Sequence, residues 1–165
     1  LIKFRNGSSR ILVATDLAAR GIDITELKFI VHYELPHRIE EFTHRNGRTA
    51  RVNELGTAYV LKWDKEKLPE FIEASTPIKI NTSKRLGDPF WETLFISGGR
   101  KDKISKGDIA GLFFKQGDLK RDQLGDIELK QDCAFVAVPK SLSKELANKL
   151  NNTRLKKKKV RITVL

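Results

Sequence analysis

Ile11 to Ile24 reads I-L-V-A-T-D-L-A-A-R-G-I-D-I, and its reading decides the architecture of the first half. Ile11-Leu12-Val13-Ala14 is a continuous apolar run, which predicts a strand buried on both faces of a parallel sheet. Leu17 to Arg20 predicts a short helical turn ended by Gly21. Further on, Lys28 to Tyr33 predicts a second strand, and Pro36 opens a helix from about His37 with Ile39 and Phe42 inward. Gly56 to Lys62 predicts a third strand. Asp64 to Ala74 predicts a helix capped by Asp64, with Leu68, Phe71 and Ile72 at helical spacing and Pro69 inside it. This β-α-β-α-β-α alternation predicts a parallel sheet covered by helices. Ligands bind such sheets beyond the carboxyl ends of the strands, so Thr15-Asp16 and the helix after Pro36 fall on the binding edge.

That helix runs into the densest cationic stretch of the first half, F-T-H-R-N-G-R-T-A-R from Phe42 to Arg51. Arg48 lies four residues after His44 and three before Arg51, so one continuous helix would place all three on one face. Gly47 and Thr49 predict instead that the helix frays or ends there, letting Arg48 and Arg51 project past it. Grouped guanidiniums suit a dense anion, because each planar fork binds phosphate oxygens bidentately. A solvated basic helix end is the other reading of the cluster taken alone.

Together, A-T-D-L-A-A-R-G-I-D and H-R-N-G-R-T-A-R resemble motifs V and VI of the DEAD-box RNA helicases. Asn46 and Ala50 depart from the commonest family pattern, and neither departure removes a charged group. The resemblance implies a partial RecA-like parallel sheet over residues 1–80. It implies ATP as cofactor, with Mg2+ held by a first RecA-like domain outside this chain, which would be its partner. Arg48 and Arg51 match arginine fingers that neutralise charge developing on the γ-phosphate. Asp23 matches the acidic contact to the ATP ribose. Thr15 and Gly21 match contacts to the RNA backbone, and Arg20, His44 and Arg45 match residues that couple the two domains. Asp16 remains open between a helix cap and a ligand contact.

The net charge is +11 and belongs mostly to the second half. Residues 1–80 hold 13 Lys and Arg against 11 Asp and Glu, whereas residues 81–165 hold 19 against 10, which points to a polyanionic partner there. Residues 81–90 read as a linker rich in polar residues, Gly and Pro. From Trp91 the pattern alternates: Leu94 and Ile96 point one way, Thr93, Phe95 and Ser97 the other. Ser105-x-x-Asp108 predicts a capping box opening a helix to about Gln116, with Ile109, Leu112 and Phe113 inward and Gly117 as stop. Asp126–Lys130 and Cys133–Val138 predict strands, Ser141–Leu150 an amphipathic helix, and Val160–Leu165 a last strand. The order β-α-β-β-α-β over residues 91–165 is the split arrangement of RRM-like (α+β) folds. The helix-covered face should hold Leu94, Ile96, Ile127, Leu129, Ala134, Val136, Val138, Val160, Ile162 and Val164. The open face should carry Phe95, Cys133, Phe135, Glu128, Lys130 and Arg161. Phe95 and Phe135 there suit base stacking or packing against a neighbouring segment.

E-T-L-F-I-S-G-G-R-K at Glu92–Lys101 and K-G-D-I-A-G-L at Lys106–Leu112 resemble the RNA-binding domain of DbpA-type DEAD-box helicases. Cys133 stands where a stacking aromatic is usual in RNA-recognition domains. The resemblance implies RNA as partner, specifically a hairpin of large-subunit ribosomal RNA, and hence a role in ribosome assembly. The expected RNA contacts in this half are Phe95, Phe135, Arg100, Lys101, Lys156, Lys157, Lys158, Lys159 and Arg161. The lysine run is expected to form a loop at the end of the open sheet, unless it is only a solvated basic tip.

One cysteine, Cys133, excludes an internal disulfide and fits a reducing cytoplasm. No run is long and apolar enough for a membrane span, and His and Cys spacing suggests no metal site. With no methionine and an opening inside an apparent structural element, the chain is expected to be a fragment of a longer protein. The expected function is the C-terminal part of an ATP-dependent RNA helicase, inactive on ATP by itself. The rival is a catalytically inactive RNA-binding protein with a relic helicase domain. A DNA helicase is disfavoured by the motif pair and the RNA-binding half.

Overall fold

The computed structural model describes residues 1–17, 27–49, 56–73, 77–78 and 85–165. They form two compact units, one from residues 13–85 and one from residues 1–12 together with 86–165. The first dozen residues thus belong to the same unit as residues 86–165.

In the unit of residues 13–85, strand β1 (Phe29–His32) pairs in parallel with β2 (Thr57–Val60), with Phe29 opposite Thr57 and His32 opposite Val60. Between them lies helix α2 (Ile39–Asn46), so β1-α2-β2 is a crossover unit of the expected kind. The helix starts after buried Pro36, carries Glu40 and Glu41 in its first turn and His44 and Arg45 in its last, and so complements its dipole at both ends. Phe42 packs its ring 5.0 Å from His32 and 6.0 Å from Phe71. Of the two residues expected inward, Phe42 is half-buried and Ile39 is 52% exposed, and no residue of α2 is fully buried.

Two expected elements do not form. Ile11–Ala14 is not a strand, and Val13 is 92% exposed. A run apolar on both sides becomes a strand only when ladder partners and two covering layers are available. Among the described residues the parallel sheet has β1 and β2 alone, which pair with each other. The expected helix over 64–74 is replaced, within residues 64–73, by two turns. Pro69 lacks the N–H a helix interior needs and clashes with the preceding turn; its carbonyl instead accepts the Ile72 N–H at 2.9 Å. Phe71 and Ile72 still turn inward, Ile72 being buried. Of the expected turn at Leu17–Arg20, Asp16 and Leu17 are helical and Ala18 to Arg20 lie outside the described residues.

The other unit is an antiparallel four-stranded sheet with two helices on one face. Its elements are β3 (Trp91–Ile96), α3 (Lys106–Lys115), β4 (Ile127–Leu129), β5 (Ala134–Pro139), α4 (Lys140–Leu150) and β8 (Ile162–Val164). A hairpin of β6 (Arg154–Leu155) and β7 (Lys158–Lys159) stands between α4 and β8. The strand order is β4-β5-β3-β8, the split β-α-β-β-α-β arrangement. Leu94, Ile96, Ala134, Val136, Val138, Val160 and Ile162 are buried beneath Ile109, Leu112 and Phe113 of α3 and Leu146, Ala147 and Leu150 of α4. Ser143, Leu146, Ala147 and Leu150 follow the helical period, so α4 buries a single stripe. Val164 departs from the expected face, since it sits at the strand's end and is 39% exposed.

The opposite face is only partly open. The short helix α1 (Ile2–Arg5) and the residues after it lie across it. Asn6 Nδ2 donates to Thr93 Oγ1 at 2.8 Å, the Ser8 and Thr93 hydroxyls meet at 2.7 Å, and Lys3 Nζ donates to the Leu165 carbonyl at 2.7 Å. Thr93, expected on an open face, is therefore fully buried. The turn after β3 is held by backbone approach: Arg100 N–H and Lys101 N–H donate to Lys130 and Gln131 carbonyls, each at 3.0 Å. A Cβ on Gly99 would lie 2.4 Å from the Gln131 carbonyl oxygen, so only glycine fits there.

Candidate nucleotide and nucleic-acid contacts

In the unit of residues 13–85, the two singled-out stretches meet through one ion pair. Arg45, in the last turn of α2, grips Asp16 bidentately, Nε to Oδ1 at 2.5 Å and Nη2 to Oδ2 at 2.7 Å. Its Nη1 donates to the Glu34 carbonyl at 2.9 Å. The Asp16 carboxylate raises the Arg45 pKa further above its already high value. Asp16, left open between cap and ligand contact, is thus the acceptor that fixes Arg45. Asn46, one of the departures from the family pattern, pairs with buried His32, Nε2 to Oδ1 at 2.9 Å. Burial pushes the His32 imidazole below its ordinary pKa, with the Asn46 bond opposing.

Arg48 does not share a helical face with His44, because α2 ends at Asn46. Gly47 N–H bonds back to the Thr43 carbonyl at 2.8 Å, and Arg48 N–H to the Arg45 carbonyl at 3.2 Å. The Arg48 carbonyl accepts the Leu27 N–H at 3.2 Å, beside a parallel bridge between Leu27 and Thr49. The Arg48 backbone is therefore pinned just beyond the helix, with its side chain half-buried. Thr15 and His44 are exposed. Arg20, Gly21, Asp23 and Arg51 lie outside the described residues.

In the other unit, Phe95 and Phe135 stand opposite each other in the β3–β5 register, rings 5.7 Å apart and edge to face. Both are half-exposed, and the half-buried Cys133 lies two residues before Phe135. The basic side chains divide into two sets. Lys101 pairs with Asp132, Lys156 with Asp108 at 2.9 Å, and Lys158 with Asp102 at 2.8 Å. Arg100, Lys157, Lys159 and Arg161 are exposed, and their side chains make no ion pair among the described residues. The lysine run is half of a hairpin rather than a loop: Lys156-Lys157 is the turn and Lys158-Lys159 the strand β7 that pairs with β6.

Asp102 carries no signal in the sequence, and Asp108 signals only the helix cap with Ser105. Asp108 accepts Ser105 N–H at 2.9 Å and Ser105 Oγ–H at 2.6 Å besides meeting Lys156. Ser105 and Lys156 together bring its carboxyl to about 2. Lys158, then the Gly99 N–H, lower the Asp102 carboxyl as well. No group of three His, Cys, Asp or Glu able to hold a metal gathers among the described residues.

Residues 1–53 match the helicase conserved C-terminal domain, and residues 93–164 match the DbpA RNA binding domain. The whole chain is 34% identical to the ATP-dependent RNA helicase DbpA of Escherichia coli (strain K12), 38% of which it covers. Over 97% of its length it is 28% identical to the ATP-dependent RNA helicase DbpA of Bacillus subtilis (strain 168), covering 40% of that protein. A stretch of 41% of the chain is 49% identical to the ATP-dependent RNA helicase mak-5 of Neurospora crassa, of which it covers 8%. The chain spans about two fifths of the length of the two DbpA relatives.

Proposed function

We propose that this chain, which belongs to the DbpA-like branch of the DEAD-box RNA helicases, joins half of an ATP-driven motor to an RNA-anchoring domain. The observation that carries this reading is the presence of both matched families on one chain, in one order, with Arg48 pinned beyond α2. In the full-length protein the motor would remodel structured RNA, specifically a large-subunit ribosomal RNA hairpin in cytoplasmic ribosome assembly. Residues 1–80 would belong to the second RecA-like domain, residues 81–90 to a linker, and residues 91–165 to the RNA-binding domain.

Bound ATP would supply the phosphoanhydride whose hydrolysis drives the cycle, and Mg2+ would be held by the first RecA-like domain. Arg48 fits a phosphate ligand in its chemistry and in its fixed backbone, and with Arg51 it would neutralise charge on the γ-phosphate. Asp23 would hold the ribose. Thr15 and Gly21 would meet the RNA backbone, and Arg20 and His44 would couple the two domains. Arg45 would contribute to that coupling through Asp16, which orients the loop carrying Thr15.

The test uses the full-length protein. Arg48→Ala should lower RNA-stimulated ATP turnover on the order of 10³–10⁵-fold, with RNA binding retained; unimpaired turnover would overturn the assignment. The 165-residue chain alone should bind RNA without hydrolysing ATP, and hydrolysis by the purified chain would equally overturn it.

A further inference from the structure

The β6–β7 hairpin has two faces in different states of charge. Its register sets Arg154 opposite Lys159 and Leu155 opposite Lys158. Cross-strand partners share a face, so Arg154 and Lys159 project together, with Leu155 and Lys158 on the other side. Leu155 is buried against the core, and Lys158 beside it is held by Asp102. At the turn, Lys156 adopts φ 57, a conformation that two-residue hairpin loops ordinarily give to glycine. A lysine stands there against backbone preference, and its ammonium is engaged by Asp108. Arg154, Lys157 and Lys159 are exposed and make no ion pair or side-chain hydrogen bond among the described residues.

Like charges directly opposite each other in an antiparallel pair repel. An uncompensated Arg154–Lys159 pair, with two ion pairs behind it, is a cationic face whose repulsion a bound polyanion would relieve. The hairpin carries no aromatic residue on which an unpaired base could stack, and single-strand grips ordinarily combine cations with such platforms. Phosphates lining an RNA helix need only the cations. Asp102 also belongs to the turn Arg100–Asp102, so the Lys158 pair ties exposed Arg100 to the same hairpin.

We propose that Arg154, Lys157 and Lys159 bind the phosphodiester backbone of an RNA helix, while Lys156 and Lys158 are positioning residues that hold this face through Asp108 and Asp102. This rests on the RNA-binding reading above and divides the lysine run by role.

The test measures binding of the full 165-residue chain to an RNA hairpin and to a single strand of equal length, across a salt series. Replacing Arg154, Lys157 and Lys159 together with alanine should flatten the slope of log K against log salt by roughly 2–3 units. The neutral double variant Lys158→Ala with Asp102→Ala should leave the slope unchanged. Lys159→Glu sets opposite charges across the hairpin, so it should raise thermal stability while weakening hairpin binding on the order of tenfold. A merely structural lysine would move both readings in the same direction. An unchanged slope in the triple variant, a slope flattened as much by the Lys158–Asp102 variant, or equal affinity for the single strand would each overturn the proposal. Failure of the unaltered chain to bind either RNA would overturn the RNA-binding reading itself.

Discussion

Arg45 illustrates at residue scale what a sequence motif conceals. Its side chain was legible as functional, but its partner Asp16 lies 29 residues away, and nothing in spacing announces the bidentate pair. Arg45→Lys keeps the charge and loses the fork, so it should destabilise residues 13–85 by about 1 kcal/mol, discounted for the exposure of Asp16. Chemical denaturation followed at Trp63 would read it; unchanged stability would show that charge alone suffices. His32 gives a second expectation. Its pKa in the fold lies below 6.5, the value it recovers on unfolding, so the unfolded chain binds more protons between those two values. Stability of this unit should therefore fall as pH drops through about 6.5 and below. His32→Gln should flatten that dependence, and an identical pH profile in the variant would refute the assignment.

Among the elements, alternation proved readable where one face alone meets a core. Leu94 and Ile96 sit on such a face, and their period of two fixed the strand, its buried side and its helical cover. Ile11–Ala14 was unreadable for the opposite reason, since burial on both faces depends on neighbouring strands rather than on its own pattern. At residues 64–73 Pro69 prevails over the helical spacing of Leu68, Phe71 and Ile72, because a missing N–H cannot be offset by periodicity. Helix α3 permits two measurements. Ser105→Ala removes the cap and should cost about 1 kcal/mol of stability. The same corner responds to acid, because Ser105 and Lys156 hold the Asp108 carboxyl at about 2, below its ordinary 3.8. Its contribution is present above 3.8 and lost as pH falls through about 2. Gly111, by contrast, has nothing within 4 Å of where a Cβ would stand. Gly111→Ala should therefore stabilise α3 by about 0.5–1 kcal/mol, which a thermal melt would detect.

In the molecule as a whole, buried apolar side chains concentrate in one unit. Leu94, Ile96, Ile109, Phe113, Val136 and Leu150 are all fully enclosed there, whereas residues 13–85 bury His32, Pro36, Thr49 and Ile72 among the described residues. Opening free energy follows enclosed apolar contact. Native-state hydrogen exchange should thus find the slowest amides on β3 and β5, with β1 and β2 exchanging earlier; uniform protection across both units would contradict this. The change from parallel to antiparallel pairing was legible in the shift from a doubly apolar run to strict alternation. The placement of residues 1–12 was not, because it rests on long-range bonds from Asn6 and Ser8 to Thr93. The close approach at Gly99 bears also on how this chain can vary. Every amino-acid replacement reachable by one base change from a glycine codon adds at least a Cβ, and here that atom would meet peptide backbone rather than a yielding side chain. In a library of all single replacements, position 99 should thus behave like a catalytic residue, admitting almost no alternative, although it offers a ligand no side chain at all.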